Sequence, residues 1–203
     1  MNRLGRAVLN SPARAVAQRR WVVPTMGRLG GRLEGCRVLE LGCGRGFGAK
    51  LLLDLLGADA VDAIDIDPLM VRLARQQVGA RVDVQVGDIV ATGAAPATYD
   101  AVVDMGAIHL EPRWRDALRE TARVLRPTGR FYFEEIVRPT RQALSAVATG
   151  RPLHSGFARA ALLAELDALG FVIVGLEEAW PKALTGVVGD VIGVAMRPAP
   201  PSL

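Results

Sequence analysis

Cysteine is nearly missing from this sequence: only Cys36 and Cys43 occur among 203 residues. Two thiols seven positions apart make no disulfide framework, and without a C-x-x-C pair they suggest no structural metal site, so none is expected. Long apolar runs are missing too, none reaching the roughly 18–20 residues that a membrane-spanning helix needs. The N-terminus has no central apolar block of the kind a secretory signal carries. These absences point to a reducing, cytoplasmic setting. No internal repeat and no low-complexity segment is visible. What remains is 50% apolar and 23% charged, the make-up of a soluble globular chain long enough to bury a full core in one domain.

Carboxylates are absent from the first 33 positions, which hold seven arginines (Arg3, Arg6, Arg14, Arg19, Arg20, Arg28 and Arg32). The remainder carries 18 basic residues against 21 acidic ones, so the net charge of +4 comes from a basic arm on a mildly acidic body. Such an arm suits anionic lipid, nucleic acid or an acidic substrate, or is simply a solvated helix face. Ser11-Pro12 reads as a cap and first-turn proline opening a helix to about Arg20. Pro24 and the Gly30-Gly31 pair then set residues 1–33 apart from a body at 34–203. Trp21-Val22-Val23 in this arm is suited to walling off a cleft.

From Arg37 onward, short apolar runs alternate with helix-like segments. Strands are expected at Arg37 to Leu41, Ala60 to Ile64, Val82 to Val86, Tyr99 to Asp104 and Phe131 to Val137. Helices are expected at Gly48 to Leu56, Pro68 to Val78 and Pro112 to Leu125. That rhythm predicts an α/β fold with a parallel, doubly wound sheet. Arg138 to Phe157 is long for a plain connection and is a candidate lid. A helix at Ala158 to Leu169, closed by Gly170, leads to strands at Phe171 to Leu176 and Val187 to Met196. Their linker is too short for a confident crossover helix, so they are expected to pair antiparallel.

Chemistry concentrates around Val38-Leu39-Glu40-Leu41-Gly42-Cys43-Gly44-Arg45-Gly46. A dinucleotide loop wants G-x-G-x-x-G. Counting from Gly42 places Phe47 at the third glycine; counting from Gly44 places Ala49 there, which is not strictly excluded. Glu40 counts against a pyrophosphate, because a carboxylate at the strand end suits a ligand carrying an ammonium and a sulfonium better. Asp65 ends the second strand, where an acid can accept both hydroxyls of a ribose diol. Asp67 before Pro68 is a helix cap, and Asp88 after the third strand is placed to read an exocyclic amine.

In combination, VLELGCGRG, AIDIDPLM, VGDI, YDAVVDMGAIHL and RVLRPTGRFYFEE resemble the successive motifs of class I S-adenosylmethionine-dependent methyltransferases. The nearest likeness is to small single-domain bacterial enzymes similar to those of menaquinone and ubiquinone biosynthesis, over roughly Arg37 to Arg197. The resemblance implies a Rossmann-like sheet of seven strands, mostly parallel with a C-terminal antiparallel strand, and S-adenosyl-L-methionine as cofactor. It also implies roles by position. Glu40, Gly42 and Gly44 would meet the methionine part, Asp65 the ribose, and Ile66 and Met70 the adenine face. Asp88 and Ile89 would read the adenine edge, and Asp104 and Met105 would face the amino group and the methyl donor. Cys43 and Arg45 are filler in this pattern.

Bland readings stand beside these. Gly46 and Gly48 would serve packing, Asp104 would be a strand-end cap, and His109 would be packed at a helix entrance. Glu134 and Glu135 alternate to opposite sides of their strand, one facing the cleft while the other caps or pairs with an arginine. A base is needed only if the acceptor must lose a proton; Glu134, Tyr132, His154, His109 and Glu135 are available, and the last two are the candidate catalytic residues. The expected activity is direct in-line methyl transfer to a small-molecule or lipid-like acceptor. Asp104-Met105-Gly106-Ala107 departs from the tetrad of DNA amino-methyltransferases, and neither cysteine follows a proline, which argues against nucleic acid. The alternatives are a cofactor-binding protein without catalysis and a nicotinamide-dependent oxidoreductase. Peripheral membrane contact through the basic arm is a further expectation.

Overall fold

A computed structural model of the chain describes residues 11–137, 157–178 and 191–199. His154 and nearly all of the candidate lid fall outside the described residues. Seven strands form one sheet: β1 Arg37–Leu41, β2 Ala60–Asp65, β3 Val82–Val86, β4 Tyr99–Met105, β5 Leu125–Glu135, β6 Val172–Glu178 and β7 Val191–Met196. Their spatial order is β3-β2-β1-β4-β5-β7-β6. β1 lies parallel to both β2 and β4, while β7 runs antiparallel to both β5 and β6. The expected seven-stranded, mostly parallel sheet with its reversed last strand is therefore what the chain forms.

Strand alternation divides the apolar residues between two layers. Against one face pack α1 Pro12–Ala17, α2 Val23–Gly30, α3 Phe47–Asp54 and α4 Pro68–Arg75. There Val22, Met26, Leu52 and Val71 meet Val38, Val61, Val103 and Tyr132. Against the other pack α5 Trp114–Val124 and α6 Arg159–Ala168, where Leu118, Leu162 and Leu166 meet Leu39, Val102, Phe131 and Phe133. Each such side chain contributes about 1.5–3 kcal/mol by leaving water, and this burial fixes the strand ends that carry the site.

The N-terminal helix departs from expectation. It does not stop near Arg20: a π-helical stretch, Gln18–Val22, joins α1 to α2 and the helix runs to Gly30. Pro24 has no N–H and its ring would strike the carbonyl four residues back, so the widened turn before it lets the helix continue. Gly31, at φ +83°, then ends it, and the Tyr132 hydroxyl donates to the Gly30 carbonyl at 2.9 Å. That engagement gives Tyr132 a structural duty. β5 starts at Leu125, earlier than Phe131, because Arg126-Pro127-Thr128-Gly129 reads as a turn yet pairs with Arg197 on both sides (Thr128 N to Arg197 O 2.7 Å, Arg197 N to Gly129 O 2.9 Å). Residues 187–190, expected to open β7, lie outside the described set.

Candidate functional site

The sheet order reverses between β1 and β4, so the crevice at their C-terminal ends is where an open α/β sheet takes its ligand. Four of the five β1 residues are buried, and one of those four is an acid, Glu40. The Ala49 N–H of α3 hydrogen-bonds its carboxylate, while Oε2 is buried with no hydrogen-bond partner among the described residues. Burial, against that one hydrogen bond and with Asp65 and Asp104 nearby, raises the Glu40 pKa to about 8. A Cβ on Gly48 would overlap both the Glu40 carboxylate and the Met105 methyl, so only glycine allows α3 to come this close.

Asp65 closes the ring from β2. Its Oδ2 accepts the Gly44 N–H at 2.8 Å and its Oδ1 the Asp67 N–H at 2.9 Å. Gly44 sits at φ +54°, a left-handed turn that aims its N–H back at this acid. Burial raises the Asp65 pKa, with those two N–H groups opposing it. Asp67 caps α4 through Leu69 N at 3.0 Å. Nearby, Ile66 is exposed and Met70 buried. Asp88 accepts from Val90 N at 3.0 Å and forms a half-exposed ion pair with Arg113, next to Ile89. Cys43 is buried, and burial pushes its thiol pKa far up, leaving it inert.

A second group of acids occupies the ends of β4 and β5. Asp104 is fully buried; its Oδ1 accepts from Ala107 N at 2.9 Å and Ile108 N at 3.3 Å, capping the short 3-10 turn Ile108–Leu110. The Glu135 carboxyl lies close by, and burial first, then that charge, push the Asp104 pKa well above the usual range. Glu135 Oε2 in turn lies 2.6 Å from His109 Nδ1, and the ring is buried. On the opposite side of β5, Glu134 is held in a bidentate pair by Arg14 of α1, at 2.9 and 2.7 Å. The same guanidinium donates to the Met105 carbonyl at 2.8 Å. Burial works against its charge, but Glu134, and then Asp104 and Glu135, outweigh that and raise the Arg14 pKa.

The structure thus brings Glu40, Gly42, Gly44, Asp65, Asp104 and Met105 to one crevice, with His109 and Glu135 joined beneath its β4–β5 end. A family model described as "Methyltransferase domain" matches residues 38–129, the stretch that builds this crevice. Over those residues the chain is similar to methyltransferases, and its seven-stranded sheet has the fold of the S-adenosylmethionine-dependent ones. An S-adenosylmethionine-dependent methyltransferase from Aquifex aeolicus shares the fold, with a TM-score of 0.73 at 20% identity over 97% of this chain and 98% of the other. A Mycobacterium ulcerans protein named "Probable phthiotriol/phenolphthiotriol dimycocerosates methyltransferase 2" is 35% identical over 105 residues, covering 51% of this chain and 41% of that one. A fatty-acid O-methyltransferase of Mycolicibacterium smegmatis is 34% identical over 104 residues, covering 51% and 38%. The chain therefore spans about two fifths of the length of these two curated relatives.

Reading the sequence alone missed Arg14 as a component of this site. It was one of seven arginines in an acid-free arm, with nothing local to mark it off. The pair Glu134-Glu135 in a strand with buried neighbours is the signal that a cation had to reach that strand end. The expectation that one of the two pairs with an arginine is met by Glu134, and the arginine comes from 120 residues away.

Proposed function

We propose that the protein transfers a methyl group from S-adenosylmethionine to a lipid-like acceptor by in-line displacement. The observation that carries this reading is the Glu40 carboxylate, buried at the switch point with one oxygen lacking a partner. An ammonium fits it; a pyrophosphate does not. Asp65 keeps lone pairs for a ribose diol beside Gly44, Asp88 and Ile89 hold the adenine edge, and Ile66 and Met70 its face. Gly42 admits the methionine part, and Met105, with Asp104 behind it, lines the methyl-donor end. The cofactor supplies an electrophilic methyl on a sulfonium, so the chain contributes chiefly alignment and exclusion of water.

Where the acceptor is a hydroxyl, His109 takes its proton at Nε2, because Nδ1 faces Glu135; a carboxylate acceptor is already ionised and needs no base. A lipid-like acceptor accords with the two mycobacterial relatives, whose names specify phthiotriol lipids and fatty acids. Two free thiols accord with a cytoplasmic setting, and the arm would meet an anionic membrane from that side.

Calorimetric titration with S-adenosylmethionine, S-adenosylhomocysteine and NAD tests the reading. The adenosyl ligands bind and NAD does not, and Asp65→Ala weakens binding about 10- to 100-fold, the loss of hydrogen bonds to a charged acceptor. NAD binding, or no binding with Asp65 intact, ends it. Methyl transfer to fatty acids and phenolic lipids separates an enzyme from a binder.

A further inference from the structure

The N-terminal helix has two faces with different chemistry. Inward, Arg14, Ala17, Gln18, Val22 and Val23 are buried. Outward, Val16 is 53% exposed and Trp21 38%, with Arg19 and Arg20 exposed between them. Among the described residues neither of those two guanidinium groups has a carboxylate partner, whereas Arg28 pairs with Glu177 and Arg32 with Glu34. No carboxylate occurs from Ser11 to Leu33. Apolar and aromatic side chains set among uncompensated arginines on one helix face are what the headgroup–acyl boundary of an anionic bilayer accepts. Nucleic acid would satisfy the arginines but leave Val16 and the Trp21 indole without a reason to be exposed.

We propose that this outward face, formed by Val16, Arg19, Arg20 and Trp21, docks the protein on anionic lipid. The inward face of the same helix places Arg14 on Glu134 and on the Met105 carbonyl, at the methyl-donor end of the crevice. Docking therefore sets that end of the crevice close to the bilayer, where a lipid-like acceptor resides. The inference rests on the acceptor class proposed above, but the surface is testable without any acceptor.

Vesicle pelleting decides it. The full chain pellets with vesicles of phosphatidylglycerol and phosphatidylcholine in equal parts at low salt. It stays in the supernatant with phosphatidylcholine alone, and at about 1 M salt, where the Debye length falls to about 3 Å. Each arginine near an anionic surface is worth about fivefold in binding, so Arg19→Gln/Arg20→Gln weakens vesicle binding roughly 30-fold. Binding shifts tryptophan emission to the blue in wild type, and Trp21→Phe loses that shift. Both variants bind S-adenosylhomocysteine like wild type. A wild type that ignores the anionic vesicles at low salt overturns the proposal, as does an arginine variant that pellets equally well. Preference for duplex DNA over these vesicles also overturns it. Vesicle binding without S-adenosylhomocysteine binding would leave the surface standing and sink the methyltransferase reading alone.

Discussion

Replacing Arg14 tests how the site is held together. Arg14→Met keeps most of the side-chain volume but takes the guanidinium from Glu134, whose side chain is fully buried. Breaking a buried ion pair by removing one partner costs about 3–5 kcal/mol. At about 2–4 °C per kcal/mol for a domain of this size, the thermal midpoint falls by about 6–20 °C at pH 7. Adding Glu134→Gln recovers much of the loss, because no charge is then stranded. Urea and thermal melts of the three proteins at pH 7 measure both. A loss under about 1 kcal/mol would mean that water already reaches the pair.

Other expectations concern the crevice itself. Because the Glu40 pKa lies at about 8 in the free protein, binding an ammonium beside it expels a proton; affinity for S-adenosylhomocysteine rises toward tenfold per pH unit between about pH 5.5 and 7. Titrations in buffers of different ionisation enthalpy read the released proton, and Glu40→Gln abolishes both effects. The same raised pKa makes wild-type stability fall between about pH 4.3 and 8, more than in Glu40→Gln; equal slopes would refute the assignment. Gly48→Ala gains about 1 kcal/mol of helix propensity yet forces Glu40 and Met105 aside at a cost of about 1–3 kcal/mol, so it loses about 0–2 kcal/mol net and cofactor affinity with it. Gly79, where a Cβ meets nothing within 4 Å, is the control, and Gly79→Ala should bind ligand normally. With a hydroxyl acceptor, His109→Gln lowers kcat by about 10²–10⁴ and leaves S-adenosylhomocysteine binding unchanged; equal losses in both would make His109 a packing residue.

What was legible in the sequence is what has a short period. Val82 to Val86 is a strand with the expected bounds, and β1, β2 and β4 are within a residue of theirs, because apolar alternation and the glycines after them are local signals. Glu40 and Asp65 were legible for the same reason: each stands where a run ends. The helix through Pro24 was not, since a proline reads as a stop and only the packing of Val22, Val23 and Met26 makes the π-helical detour worthwhile. Arg14 was hidden for a different reason. Seven arginines without a nearby acid look alike, and the partner that distinguishes Arg14 lies across the sheet.

The two acids at the end of β5 show how that gap closes. Alternation sends Glu134 and Glu135 to opposite faces, and both faces are sealed. Each carboxyl must then find a cation or a proton on its own side. On one side the turn before α5 supplies His109. On the other the α1–α2 layer supplies Arg14. The helix that carries the basic outer face is thereby tied to the crevice at the end of β4 through a strand-end acid. Fold, proposed site and proposed docking surface meet at that acid, so the Arg14→Met and Glu134→Gln variants bear on all three.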